Sequence, residues 1–355
     1  MNASTNNPLP KTIKTLLCLC LGLTLTLTFG CAGSSSGPVA WQDEAVDLTW
    51  PDPPDQPRIR YLRSLSGPED FKEKSRTTGV LHWLLGEQQQ DAPLLTPFAV
   101  AAGRSGVVWV ADNGARMLFR MDLDRRKIDY FQEFSGRQLV SPSGIAVDDE
   151  RHRIFLSDAA HKSIFVLDAE GRYLDSWGPP QGFERPAGLA LDPAGRLFVA
   201  DAMGGVVYVF NPDGTIASTI QSKVSPDGRF KRPLSVAFGP NGEILVLDAF
   251  AFRVEVQDTQ GALLGTIGQL GDAAGYLARP RGLAVDGDGH VFVSDSAFDN
   301  IQVFDMAGTL LMYWGSAGRQ PGQFNLPAGL FVDHEKRLIV ADSYNHRVQL
   351  FQLLP

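Results

Sequence analysis

The chain is poor in cysteine, and the little it has sits at one end. Cys18, Cys20 and Cys31 are its only thiols, and none follows residue 31. Beyond that point there is no disulfide, no thiolate metal site and no catalytic cysteine. Positive charge is also scarce: 32 Lys and Arg face 40 Asp and Glu, a net charge of −8. Residues 1–31 hold Lys11 and Lys14 and no acid, so the remainder carries 30 cations against 40 acids, or −10. A nucleic-acid surface needs clustered cations, so general nucleic-acid binding is not expected. Long apolar runs are missing after residue 29, as are helical periodicity, a Gly-rich phosphate loop and a serine-nucleophile motif.

Lys11 and Lys14 precede the apolar run of residues 16–29, which has the length of a signal-peptide core and is short for a bilayer span. Gly30-Cys31 follows, then a Ser- and Gly-rich stretch. This resembles the lipobox of bacterial lipoproteins, which implies lipidation at Cys31 and residence in the cell envelope. Residues 32–57 are rich in Ser, Gly and Pro and are expected to be a tether, with too little apolar surface to fold.

From residue 96 onward one pattern recurs. Pro97-Phe98-Ala99, Pro142-Ser143-Gly144, Pro186-Ala187-Gly188, Pro233-Leu234-Ser235, Pro280-Arg281-Gly282 and Pro327-Ala328-Gly329 each open a unit, 44 to 47 residues apart. A short apolar strand follows each step. A second strand then ends at Asp112, Asp158, Asp201, Asp248, Asp295 or Asp342. A third strand follows, in the middle units a Gly turn (Gly171, Gly214, Gly261, Gly308), then a fourth strand. Six units of four short antiparallel strands predict an all-β, six-bladed β-propeller. The sixth unit ends one strand early. Residues 58–66 carry the matching pattern, since Tyr61-Leu62-Arg63-Ser64 parallels Tyr173-Leu174-Asp175-Ser176. That segment is expected to close the last blade, leaving residues 67–95 as a long loop with a short helix over 79–86.

The segment from Ile339 through Asp342-Ser343-Tyr344-Asn345-His346-Arg347 to Phe351 resembles an NHL repeat, and the units as a set resemble those of bacterial NHL-repeat propeller lipoproteins. Asn stands at the family's position only in Asn345, and Arg only in Arg253 and Arg347. The resemblance implies an interaction platform whose partner is an envelope protein or peptide.

The Pro steps and the loops after each Asp share one face of such a ring. Phe98, Met203, Phe250, Phe252, Arg281, Phe298 and Tyr344 are the expected contact residues there, because aromatic rings and Arg anchor interfaces. Each blade Asp is expected to bind backbone N–H groups in its own loop. Propeller lactonases and lyases are the alternative. Their chemistry needs carboxylates or His aimed into the channel, and the positions after each Pro supply neither. No catalytic residue, metal or cofactor is expected. A structural accessory role is the third reading.

Overall fold

The computed structural model describes residues 38–43, 45–72 and 92–355 of the chain. The six units form six antiparallel sheets. The first blade comprises Pro97–Ala102, Val107–Asp112, Met117–Asp122 and Lys127–Phe131, hydrogen-bonded in chain order from the axis outward. Val, Trp, Phe and Ile fill these strands because branched and aromatic side chains suit a pleated, packed surface. The protein is thus an all-β, six-bladed propeller.

The recurrent Pro marks a β-bulge. In every blade the pairing of first and second strands slips beside the Pro–Asp rung, as at Pro280↔Asp295 and Gly282↔Ser294. Proline has no N–H for the ladder and is tolerated where the ladder is interrupted. The Gly two residues later has a different cause. A Cβ on Gly144 would lie 2.2 Å from the carbonyl oxygen of Ala187, and one on Gly282 2.1 Å from that of Ala328. Neighbouring inner strands approach too closely there for a side chain.

The core is divided among the seams between blades. Six buried clusters each join one pair of neighbours. Between blades 2 and 3, for example, Phe155, Trp177 and Phe210 meet, with ring centroids 5.0 Å and 6.1 Å apart along the row. Each such ring contributes roughly 1.5–3 kcal/mol of burial free energy. Stability is therefore spread around the circle, and an open seam would expose a whole cluster.

The N-terminal part prevents that. Ile59–Leu65 pairs with Arg347–Leu353 as the outer strand of the sixth blade, with Leu65 opposite Val348. The closing strand expected over residues 58–66 is present. The tether reading fails from residue 38. Thr49–Trp50 adds a fifth strand to that blade. Val39 is buried and donates its N–H to the carbonyl of Leu123, 2.8 Å away. The Trp41 ring lies 3.4 Å from the Arg337 guanidinium, and Trp50 meets Phe351 edge-on. A few isolated apolar residues in a Ser-, Gly- and Pro-rich stretch hold it against the ring. Residues 1–37 and 73–91 lie outside the described residues, and with them the signal segment, Cys31 and the expected helix over 79–86. Among the described residues, no helix is long and apolar enough to cross a membrane.

Candidate binding face

The loops that enter the inner strands and those that follow each blade Asp lie on one face. The Asp residues stitch these two loop sets together. Asp112 accepts the N–H groups of Leu95, Thr96 and Ala115 at 2.7–3.0 Å. Asp201 does the same for Glu184, Arg185 and Gly204, and Asp295 for Ala278, Arg279 and Ala297. All six are almost wholly buried. With their oxygens committed to N–H donors, they form no ring of free ligands.

The NHL signature of the last blade elaborates the same device. Arg347 donates through Nε to Asp342 at 2.7 Å and through its terminal nitrogens to the carbonyls of Arg319, Gln320 and Gln323. Asn345 reaches Gly318 and Asp342. Both residues hold the loop that leads into the sixth inner strand.

Inside the ring the inner strands line a cavity of about 270 Å³. The side chains lining it are apolar except for Ser235, among them Val100, Ile145, Leu189, Val236, Leu283 and Phe331, and inner-strand backbone makes much of the remaining surface polar. Among the described residues, no Asp, Glu or His lines that cavity or the smaller one of about 50 Å³ at its mouth. Arg281 is, among the described residues, the one charged residue lining the mouth, with Ser143 and Ser235 the polar ones. It is half-buried, with its guanidinium 5.9 Å from the Phe98 ring centroid. Desolvation, and then repulsion from Arg279 and Arg232, holds its pKa below the usual arginine value.

The expected contact residues divide into two sets. Met203, Phe250 and Tyr344 stand more than half exposed, at 59%, 57% and 54%. Phe98, Phe252 and Phe298 are half-buried. Phe252 has a positive φ of 57° and packs against the cluster between blades 4 and 5, so it serves the core. Leu95, Val140 and Leu270, in loops leading into inner strands, are further exposed large apolar residues of the same face, at positions where no repeat pattern marks them in the sequence. Arg185, Arg232 and Arg279, which directly precede the Pro of blades 3, 4 and 5, join the expected contact residues on these loops. Arg232 covers the Phe250 ring at 4.6 Å.

On the opposite face, Asp286, Asp288 and His290 bring one ligand atom each within 4.8 Å of one another. They border a cavity of about 570 Å³ at the seam of blades 5 and 6, floored by Ile59, Phe292, Val303 and Met312. Each of the three is already engaged. His290 Nδ1 lies 2.8 Å from Asp286, and Lys336 holds Asp288 at 2.7 Å. Asp333–Arg337 and Asp192–Arg196 repeat the first pairing with Arg in place of His. The trio is a recurring turn of the repeat that carries a histidine.

A six-bladed β-propeller whose Asp and Arg residues fasten loops is the class that this geometry defines. The NHL-repeat family model matches residues 324–351, the last blade. No curated relative matches the chain by sequence. Solved structures of the same fold include virginiamycin B lyase from Staphylococcus aureus, at 14% identity and a TM-score of 0.54, covering 73% of this chain and 95% of that one. A gluconolactonase from Xanthomonas campestris is 16% identical, with a TM-score of 0.56 over 83% of this chain and 98% of its own. An auxiliary nutrient binding protein from Bacteroides thetaiotaomicron is 12% identical, with a TM-score of 0.57 over 74% and 70%. At such identities the likeness is one of fold.

Proposed function

We propose that this protein is an exported envelope protein, anchored through a lipid on Cys31, that binds a protein or peptide partner on its apolar loop face. One observation carries the reading: Leu95, Met203, Phe250, Leu270 and Tyr344 are exposed together on the face that surrounds the channel mouth. Leu174, Leu264, Leu311 and Tyr313 are equally exposed on outer strands, and what sets the loop-face group apart is its place around the channel mouth, where apolar side chains favour an interaction surface. Among the described residues no Asp, Glu or His lines the channel, which supports binding over hydrolysis, since metal-assisted lactone or lyase chemistry needs acids or His at that place. Lys11, Lys14, the apolar run of residues 16–29 and Gly30-Cys31 support export and anchoring.

The test compares the wild-type chain with a Phe250→Ala/Phe298→Ala variant in capture from membrane extracts. A partner held by the first and lost by the second is the expected result. Metal-dependent turnover of lactones by the purified chain would instead select the hydrolase reading, which propeller lyases and lactonases of the same fold bring into view.

A further inference from the structure

The apolar face has a cationic centre. Arg185, Arg232 and Arg279 occupy the same position in three successive blades, and Arg281 lies two residues after Arg279 at the mouth. Their side chains meet no carboxylate among the described residues. Arg281 and Arg232 rest on Phe98 and Phe250, and Arg185 and Arg279 bond only through their backbones. In a chain of net charge −8, with ion pairs elsewhere such as Arg153–Asp148 and Arg337–Asp333, this is a local inversion. A half-buried guanidinium among like charges gains most from an anion that it can hold in bidentate geometry.

We infer that the channel mouth is a carboxylate-binding subsite, which receives an acidic side chain from a peptide segment crossing the loop face. The inference rests on the binding reading above and names the chemistry of the partner. The mouth is a small recess of about 50 Å³ that takes a side-chain carboxylate beside Arg281. Its walls are bulged inner-strand backbone, small residues and the apolar side chains of Phe98, Val100, Ile145, Leu189, Leu234 and Leu330, so a side-chain tip fits where a folded surface does not. Phe250 and Met203 on one side and Tyr344 and Leu95 on another provide apolar seats for the residues flanking the acid. A polyanion suits the face less well, because the rest of the chain repels it.

The test is selection of a phage-displayed random-peptide library on the purified full-length chain. The expected peptides carry Glu or Asp between apolar residues. A synthetic representative then binds about tenfold more weakly, or worse, when its acid is changed to Gln or Asn, or when the chain carries Arg281→Gln. Arg281→Lys retains part of the affinity, and added salt weakens it. Melting curves verify that the variants fold, and the exposed Arg279→Gln provides a second reading of the charge. Selected peptides without acids, or ones that bind Arg281→Gln undiminished, overturn the subsite and leave the apolar face standing. A library that yields no binders counts against both. Preferential binding of oligouridylate overturns the peptide assignment.

Discussion

Ser343 donates its hydroxyl to the carbonyl of Pro97 at 2.7 Å, although the two residues lie 246 positions apart in the chain. This bond ties the second-strand end of the last blade to the inner strand of the first, at the seam where the ring must close. The buried Leu65 packs in the same seam with Val100, Phe119 and Ile339. Removing residues 58–66 therefore lowers the melting temperature of the entire ring. Leu65→Ala costs about 2–5 kcal/mol. Thermal melting by circular dichroism reads both, and an unchanged curve after the deletion would contradict the closure.

The blade Asp residues give a second test. Asp201 accepts three backbone N–H groups, so Asp201→Ala leaves buried donors unpaired and destabilises by about 1–3 kcal/mol. If these residues serve loops alone, a chelator does not shift the melting temperature of the wild-type chain. A large drop on chelation would show that the face holds a metal.

Close packing of the inner strands sets the third. Gly282→Ala forces its new Cβ against the Ala328 carbonyl and the Ser294 hydroxyl, and the neighbouring blade must shift. Gly287→Ala, in the turn between the first two strands of the same blade, meets nothing within 4 Å. The first substitution lowers the melting temperature and the second leaves it nearly unchanged. Equal effects would mean that the strands do not approach as described.

Acid weakens the turns. The Thr309 backbone N–H holds the Asp305 carboxyl below its usual range, and the Thr215 hydroxyl does so for Asp213. Partial burial pushes Asp168 upward, but hydrogen bonds from the Arg172 backbone and guanidinium outweigh it, and the net shift is downward. A carboxyl whose pKa is lower when folded stabilises the fold fully above its unfolded value, about 3.9, and stops doing so as pH falls through the folded value. Melting temperature is thus set to fall below about pH 4 through these groups. A melting temperature that rises as the pH drops below that point would contradict the turn bonds.

The parts of the fold that repeat were legible in the sequence. Pro97 and its five counterparts stand out because a bulge tolerates the missing N–H, and Asp112 and its counterparts because two loops need one acceptor. The closing strand showed itself because Tyr61 and Leu62 follow the outer-strand pattern. What occurs once was hidden. Nothing local in a Pro- and Ser-rich stretch tells that Trp41 will settle on Arg337 or that Val39 will be buried. Phe252 reads as an exposed loop aromatic until its positive φ turns it into a seam. Arg185, Arg232 and Arg279 share a register visible in the sequence, but the lack of acids around them is a fact of three dimensions.

The most direct measurement of the proposed role is site-specific photocrosslinking in cells that make the protein. A benzophenone amino acid in place of Phe250, in the loop of blade 4 that follows Asp248, is expected to yield a discrete adduct with one partner. The same group in place of Leu174, equally exposed on an outer strand, is expected to yield none. Adducts from position 174 and none from position 250 would contradict the account.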